Sequence, residues 1–309
     1  MKALFTTVFF LQFFLVLTDD KRSPPPKFEK SSTGGIFFDK LSDAFRGERP
    51  SLKSLRAARN ETKSSEKSAS TAGSVEGGQS GPWDKLISPV SIEDEIKRLR
   101  LHYDSVVTQP GPFKSGGYEE ARLDLMVMSS LFAIITEYQG DVRWKDQAGA
   151  ARDLFARTAF NCNAGTTQVF NEAKSRKDDL QDLMSGSGLR GRKTEDGNDW
   201  SAIADRSPMM EYADTLHEAL RQATNNEDTL KAEPNEAIRP AELLAALGRI
   251  LVQEGMDESD DEDYAALSRS MTDASLAVRT ALERNDFEAA RKAVGAVTQS
   301  CDACHEQYR

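Results

Sequence analysis

The sequence predicts an all-α protein, and three observations carry that expectation. Apolar residues recur at spacings of 3 and 4 in several separate segments, the period of one helix face. No run shows the sustained alternation of a half-buried strand. Pro- and Gly-rich breaks such as Gln109-Pro110-Gly111-Pro112 and Gly186-Ser187-Gly188 separate the periodic segments.

Residues 1–18 read as a signal peptide or an N-terminal anchor. Lys2 gives a short positive start, and the apolar run Ala3 to Leu17 is shorter than the ~20 residues a membrane span needs. Val16-Leu17-Thr18-Asp19 is a poor cleavage site, so an uncleaved anchor is the alternative to a removed leader. Residues 19–88 are rich in Ser, Gly, Lys, Glu and Pro and cannot offset the entropy of ordering. They read as a disordered linker.

The helical domain is expected over residues 89–309. Ser91 is the expected N-cap of a first helix with Ile92, Ile96, Leu99, Tyr103 and Val106 on one face. A helix over about 118–138 comes next, with Tyr118, Ala121, Leu125, Met128, Phe132 and Ile135 as its seam. Lys145–Phe160 and Thr166–Met184 read as helices. Two more are expected to open at Ser207-Pro208 and Arg239-Pro240, with Pro in the first helical position. The acidic run Asp257–Asp263 leads into a helix over 263–283. A last helix over 286–309 carries Phe287, Ala290, Val294, Val297, Cys301, Cys304 and Tyr308 on one seam, with Asn285 or Asp286 as N-cap.

That last helix ends in Cys301-Asp302-Ala303-Cys304-His305, the spacing of a c-type haem attachment site. Positions i, i+3 and i+4 share a helix face, so two thiols and an imidazole converge on one porphyrin. Cys301 and Cys304 are the expected covalent attachment points, and His305 the iron ligand. Two alternatives use the same residues: a terminal disulfide or metal clip, and a zinc site completed by Cys162. A thioredoxin-like pair is disfavoured, since it needs a βαβ setting.

The ending Cys301 to Arg309 resembles the class II c-type cytochromes, the cytochrome c′ group. The resemblance is close at 301–309, extends over 263–300 and weakens at 118–138. It implies a four-helix bundle of cytochrome c′ type, here with additional helices and a preceding tether, and one haem c per chain. It also implies an exported protein, periplasmic or tethered outside the cytoplasmic membrane, with Arg309 near the proximal side and a homodimer as the common assembly. The family's first helix often reads Arg-x-x-x-(Leu or Met) and covers the open side of the haem. Arg122 and Met126 fit that spacing, whereas the seam frame puts Leu125 and Met128 on the core face. The sixth ligand is thus Met126, Met128 or none; His102 and His217 are weaker candidates.

A thioether on iron would make a one-electron carrier with redox partner proteins. An open position would make a binder of a small diatomic gas such as NO or CO. A non-haem metal or interaction module is the third reading. The net charge of −10 argues against nucleic acid. No nucleophile–base pair, phosphate loop or carboxylate constellation points to an enzyme. Contact with a membrane is expected only through an uncleaved N-terminal segment.

Overall fold

The computed structural model describes residues 82–189 and 194–308. No strand occurs among them, and no helix among them is long and apolar enough to cross a membrane. The expected leader, the tether up to residue 81 and Arg309 lie outside the described residues.

The main helices are α1 (Pro89–Val106), α2 (Tyr118–Glu137), α3 (Ala148–Asn161) and α4 (Thr167–Ser185). After a loop come α5 (Arg206–Thr224), the short α6 (Glu227–Ala232), α7 (Asn235–Ile250), α8 (Glu262–Glu283) and α9 (Phe287–His305). The eight long ones form two groups of four, and the short α6 lies against α5 and α9. In the first, α2 packs along α3 and against α1, and α4 touches all three. In the second, α5 lies on α7, α7 on α8, α8 on α9, and α9 returns to α5. This closed ring is the bundle that carries the Cys-x-x-Cys-His sequence. Contacts of α2 with α5 and of α1 with α7 join the groups.

Several expected boundaries move, each for a local reason. The packed core reaches upstream of residue 89, since Trp83, Leu86 and Ile87 are buried in it. Trp83 Nε1 donates to Glu137 at 2.8 Å, and its ring lies 6.1 Å from that of Trp200. Ser88, not Ser91, caps α1: its hydroxyl accepts from the Ser91 N–H, and Pro89 takes the first position, where no donor is needed. Glu242 of α7 in turn accepts from the Ser88 N–H and hydroxyl at 3.1 and 2.7 Å.

The two expected Pro starts are both late. Asp205 caps α5 by accepting from the Ser207 N–H, so Pro208 is its third residue. α7 begins at Asn235, and Pro240 lies inside it. The carbonyl deprived of a partner there belongs to Glu236, an exposed residue that water can serve.

The largest correction concerns α2. Its spacing predicts one apolar seam, and the family resemblance places it beside α8 and α9 in the haem-bearing bundle. Instead every residue from Asp124 to Ile135 is buried, and its neighbours are α1, α3 and α5. A helix apolar all round is a central one, and α2 is the axis of the first group.

Two close contacts in the fold can be tested. A Cβ added at Gly248 would stand 2.4 Å from Thr272 Oγ1 and 2.8 Å from the Ser268 carbonyl, so glycine permits the α7–α8 approach. Gly248→Ala should cost about 1–3 kcal/mol of stability in denaturant titrations, without a change in m-value.

Asp124, 4% exposed, is bonded to His102 Nδ1 at 2.7 Å across α1 and α2. Burial pushes its carboxyl up from 3.8 to about 6, against the pull of His102. Since folding disfavours the ionised form, the penalty is present above about pH 6 and is relieved as pH falls toward 3.8. Relative to Asp124→Asn, the wild type should gain about 1–2 kcal/mol between pH ~7.5 and ~5 in urea unfolding.

Candidate functional site

The site is built on the last two turns of α9. Asp286 caps this helix by accepting from the Ala289 N–H at 3.0 Å, and Asn285 before it adopts a left-handed φ of 55°. Ala290, Val294 and Val297 are buried, as the seam predicts. At the motif the seam reaches the edge of the core: Cys301, Cys304 and Tyr308 are half-buried and packed against it, and His305 is half-exposed as the last helical residue. Both motif thiols are free. Burial raises the pKa of each, reinforced at Cys301 by Asp214 and Asp302 and opposed at Cys304 by Arg206. Both therefore stay protonated at neutral pH.

The wall facing the motif is α5. His217 Nε2 and Thr298 Oγ1 share a hydrogen bond at 2.8 Å, Asp214 acts on Cys301 and Arg206 on Cys304. Partners on α5 descend as those on α9 ascend, so the helices are antiparallel. Met210 lies one turn from both Arg206 and Asp214 and shares a face with His217. It is half-buried and packs against the core edge.

The Arg206 guanidinium sits 5.9 Å from the Tyr264 ring centroid, and its Nη1 is buried without a hydrogen-bond partner. Tyr264 meets Tyr308 edge-on at 5.1 Å. Asp261, the N-cap of α8, is held below the usual carboxylate range, first by the Tyr264 N–H and then by the Tyr308 hydroxyl. The acidic run before α8 is thereby tied to the residues just after the motif.

The expected distal residues are elsewhere. Met126 is buried in α2, where its Sδ accepts from the Asp205 N–H at 3.2 Å, and Arg122 pairs with Asp205 at 2.6 Å. Leu125 and Met128 are fully buried on the same helix. Neither methionine belongs to a helix that packs along α9. Arg206-x-x-x-Met210 repeats the Arg122-x-x-x-Met126 spacing on α5, which does pack there. That spacing was the available signal, and the first occurrence of it masked the second. His102 is engaged with Asp124 and His217 with Thr298.

Cys162 is not part of the site. It ends α3, where burial and then Glu172 push its thiol up to about 12. Among the described residues no three His, Cys, Asp or Glu side chains come together in a metal-holding arrangement, so a tetrahedral set with Cys162 is not formed.

The fold and the motif define a class: an all-helical bundle protein, among the described residues, whose last helix ends in Cys-x-x-Cys-His. Within it, residues 259–309 match the family model for cytochrome c′. The matched stretch is α8, α9 and the motif, and together with the all-helical architecture it fits a cytochrome c′-like, haem-binding protein. No curated protein and no solved structure matches the chain.

The His217–Thr298 bond pins α5 to α9 one turn before Cys301. Burial lowers the His217 pKa, with Arg221 adding to it and Asp214, Glu218 and Asp302 opposing it. His217→Ala should cost about 1 kcal/mol in thermal or denaturant unfolding, the typical net worth of one hydrogen bond.

Proposed function

We propose that the chain is an exported haem c protein that carries single electrons between redox partner proteins on the outer side of the cytoplasmic membrane. Cys301 and Cys304 hold one haem through thioether bonds, and His305 is the proximal iron ligand. The observation that carries this reading is the apposition of α5 to the motif. Arg206 brings a buried, unpartnered guanidinium nitrogen to the neighbourhood of Cys304, and Met210 stands one turn from it on the helix facing the thiols.

The donor set suits the group. Two protonated thiols on one helix face are what addition across two vinyl groups requires, and the unpaired Arg206 Nη1 is a ready donor to a propionate carboxylate. Met210 offers a neutral, polarisable thioether from the facing helix. When bound, the haem supplies a reversible ferric–ferrous couple. Cys301, Cys304 and His305 would hold it, against a core edge formed by Val297, Tyr264 and Tyr308.

The test is an optical spectrum of protein exported with haem-maturation machinery, then acid–acetone extraction. Haem should resist extraction in the wild type and in Cys162→Ala, and be lost or extractable in the Cys301→Ala/Cys304→Ala double variant. Met210→Leu should convert sharp low-spin reduced bands into broad high-spin ones that sharpen under carbon monoxide, while Met126→Leu and Met128→Leu leave them unchanged. A wild type already high-spin and indifferent to Met210→Leu would replace electron transfer by gas binding at an open position. A colourless wild type, with maturation verified on a control, would end the haem reading.

A further inference from the structure

Away from the motif, α2, α5 and α7 line a narrow, partly open pocket with about 20 Å³ of space at the junction of the two helix groups. Its walls include Leu131 and Ile134 of α2, Met209 of α5, and Ala246 and Leu247 of α7, all 3% exposed or less. Close-packed interiors seldom leave a void larger than one water, and this one passes the roughly 10–15 Å³ that a single water needs.

Water is nevertheless a poor occupant, because a buried water needs two to four polar partners. The accessible wall is almost wholly carbon, and the two hydroxyls that border it spend their only protons elsewhere. Ser130 Oγ donates to the Met126 carbonyl at 2.9 Å, and Tyr212 Oη donates to the buried carboxylate of Glu95 at 2.8 Å. What remains is apolar surface around a space that suits a guest with no hydrogen-bonding demand.

We propose that this pocket is a binding site for one small apolar gas molecule, a diatomic or a noble-gas atom. The guest enters by dispersion contacts alone and leaves unchanged. The site is separate from the motif and does not depend on the haem reading. The two are nonetheless neighbours through α5, since Met209 lines the pocket and Met210, next in the chain, is on the face turned to Cys301 and Cys304.

Xenon is the probe, because it has no affinity for iron and reads the pocket whether or not haem is attached. Methyl-labelled full-length protein would be titrated with xenon gas and monitored by carbon–proton correlation spectra. The methyls of Leu131, Ile134, Met209 and Leu247 should shift along a saturating curve while those of the α8–α9 contact stay still. Ala246→Val should abolish the response, and Ile134→Val, which enlarges the space, should move the midpoint to lower pressure. If Ala246→Val does not fold, the Ile134→Val midpoint decides. Shifts that grow linearly with pressure, saturate at other methyls, or ignore these substitutions in natively folded variants would overturn the proposal.

Discussion

The antiparallel contact of α5 with α9 is the constraint on which the candidate site depends. α9 alone presents two thiols and an imidazole at the edge of a core, with no opposite wall. α5 supplies that wall, and its register is set where His217 meets Thr298. From that bond the helical period places three more residues along the wall: Asp214 at the level of Cys301, then Met210, then Arg206 near Cys304. A slip of one residue would rotate Met210 by about 100° away from this face.

The first helix group serves the ring by burying its outer side. α2 is buried around its whole circumference from Asp124 to Ile135 because it packs on α1, α3 and α5 at once. Polar ties between the groups include two buried carboxylates. Glu95, 1% exposed, receives Arg98 from its own helix and the Tyr212 hydroxyl from α5, and Glu242 of α7 caps the start of α1. Buried carboxylates held this way gain little net stability, but breaking one partner leaves an uncompensated charge. They fix how the groups meet more than how tightly.

Local features of the fold are legible in the sequence, and tertiary ones are not. Helix content, the α9 seam, the Asp286 cap and the motif are written in spacings of three and four, and the structure keeps them. Helix starts near prolines are misplaced because a side-chain cap outside the helix, Ser88 or Asp205, decides the boundary, and Pro240 is tolerated where its orphaned carbonyl meets solvent. Trp83, Leu86 and Ile87 are hidden at the end of a polar stretch whose average composition says linker. The pairing of helices leaves no such local mark. Arg122-x-x-x-Met126 and Arg206-x-x-x-Met210 are equivalent as strings, and only the burial of α2 on all sides sends the first away from α9.

The same tertiary arrangement bears on how the proposed haem would be tuned. The groups acting on the two thiols are of opposite sign: Asp214 and Asp302 at Cys301, Arg206 at Cys304. A carboxylate near a redox centre favours its oxidised, more positive state, and a guanidinium favours the reduced one. Arg206 is the more deeply placed, with a nitrogen sealed from solvent, whereas Asp214 and Asp302 are exposed and screened by water and salt. Arg206 is half-buried, so its charge is less screened than those of the two exposed carboxylates. Pairing with a propionate would then cancel most of that bias, because the carboxylate brings its own negative charge into the same dry corner. In the proposed holoprotein, the field at the iron would then depend on whether Arg206 finds such a partner as well as on the acidic surface around the motif.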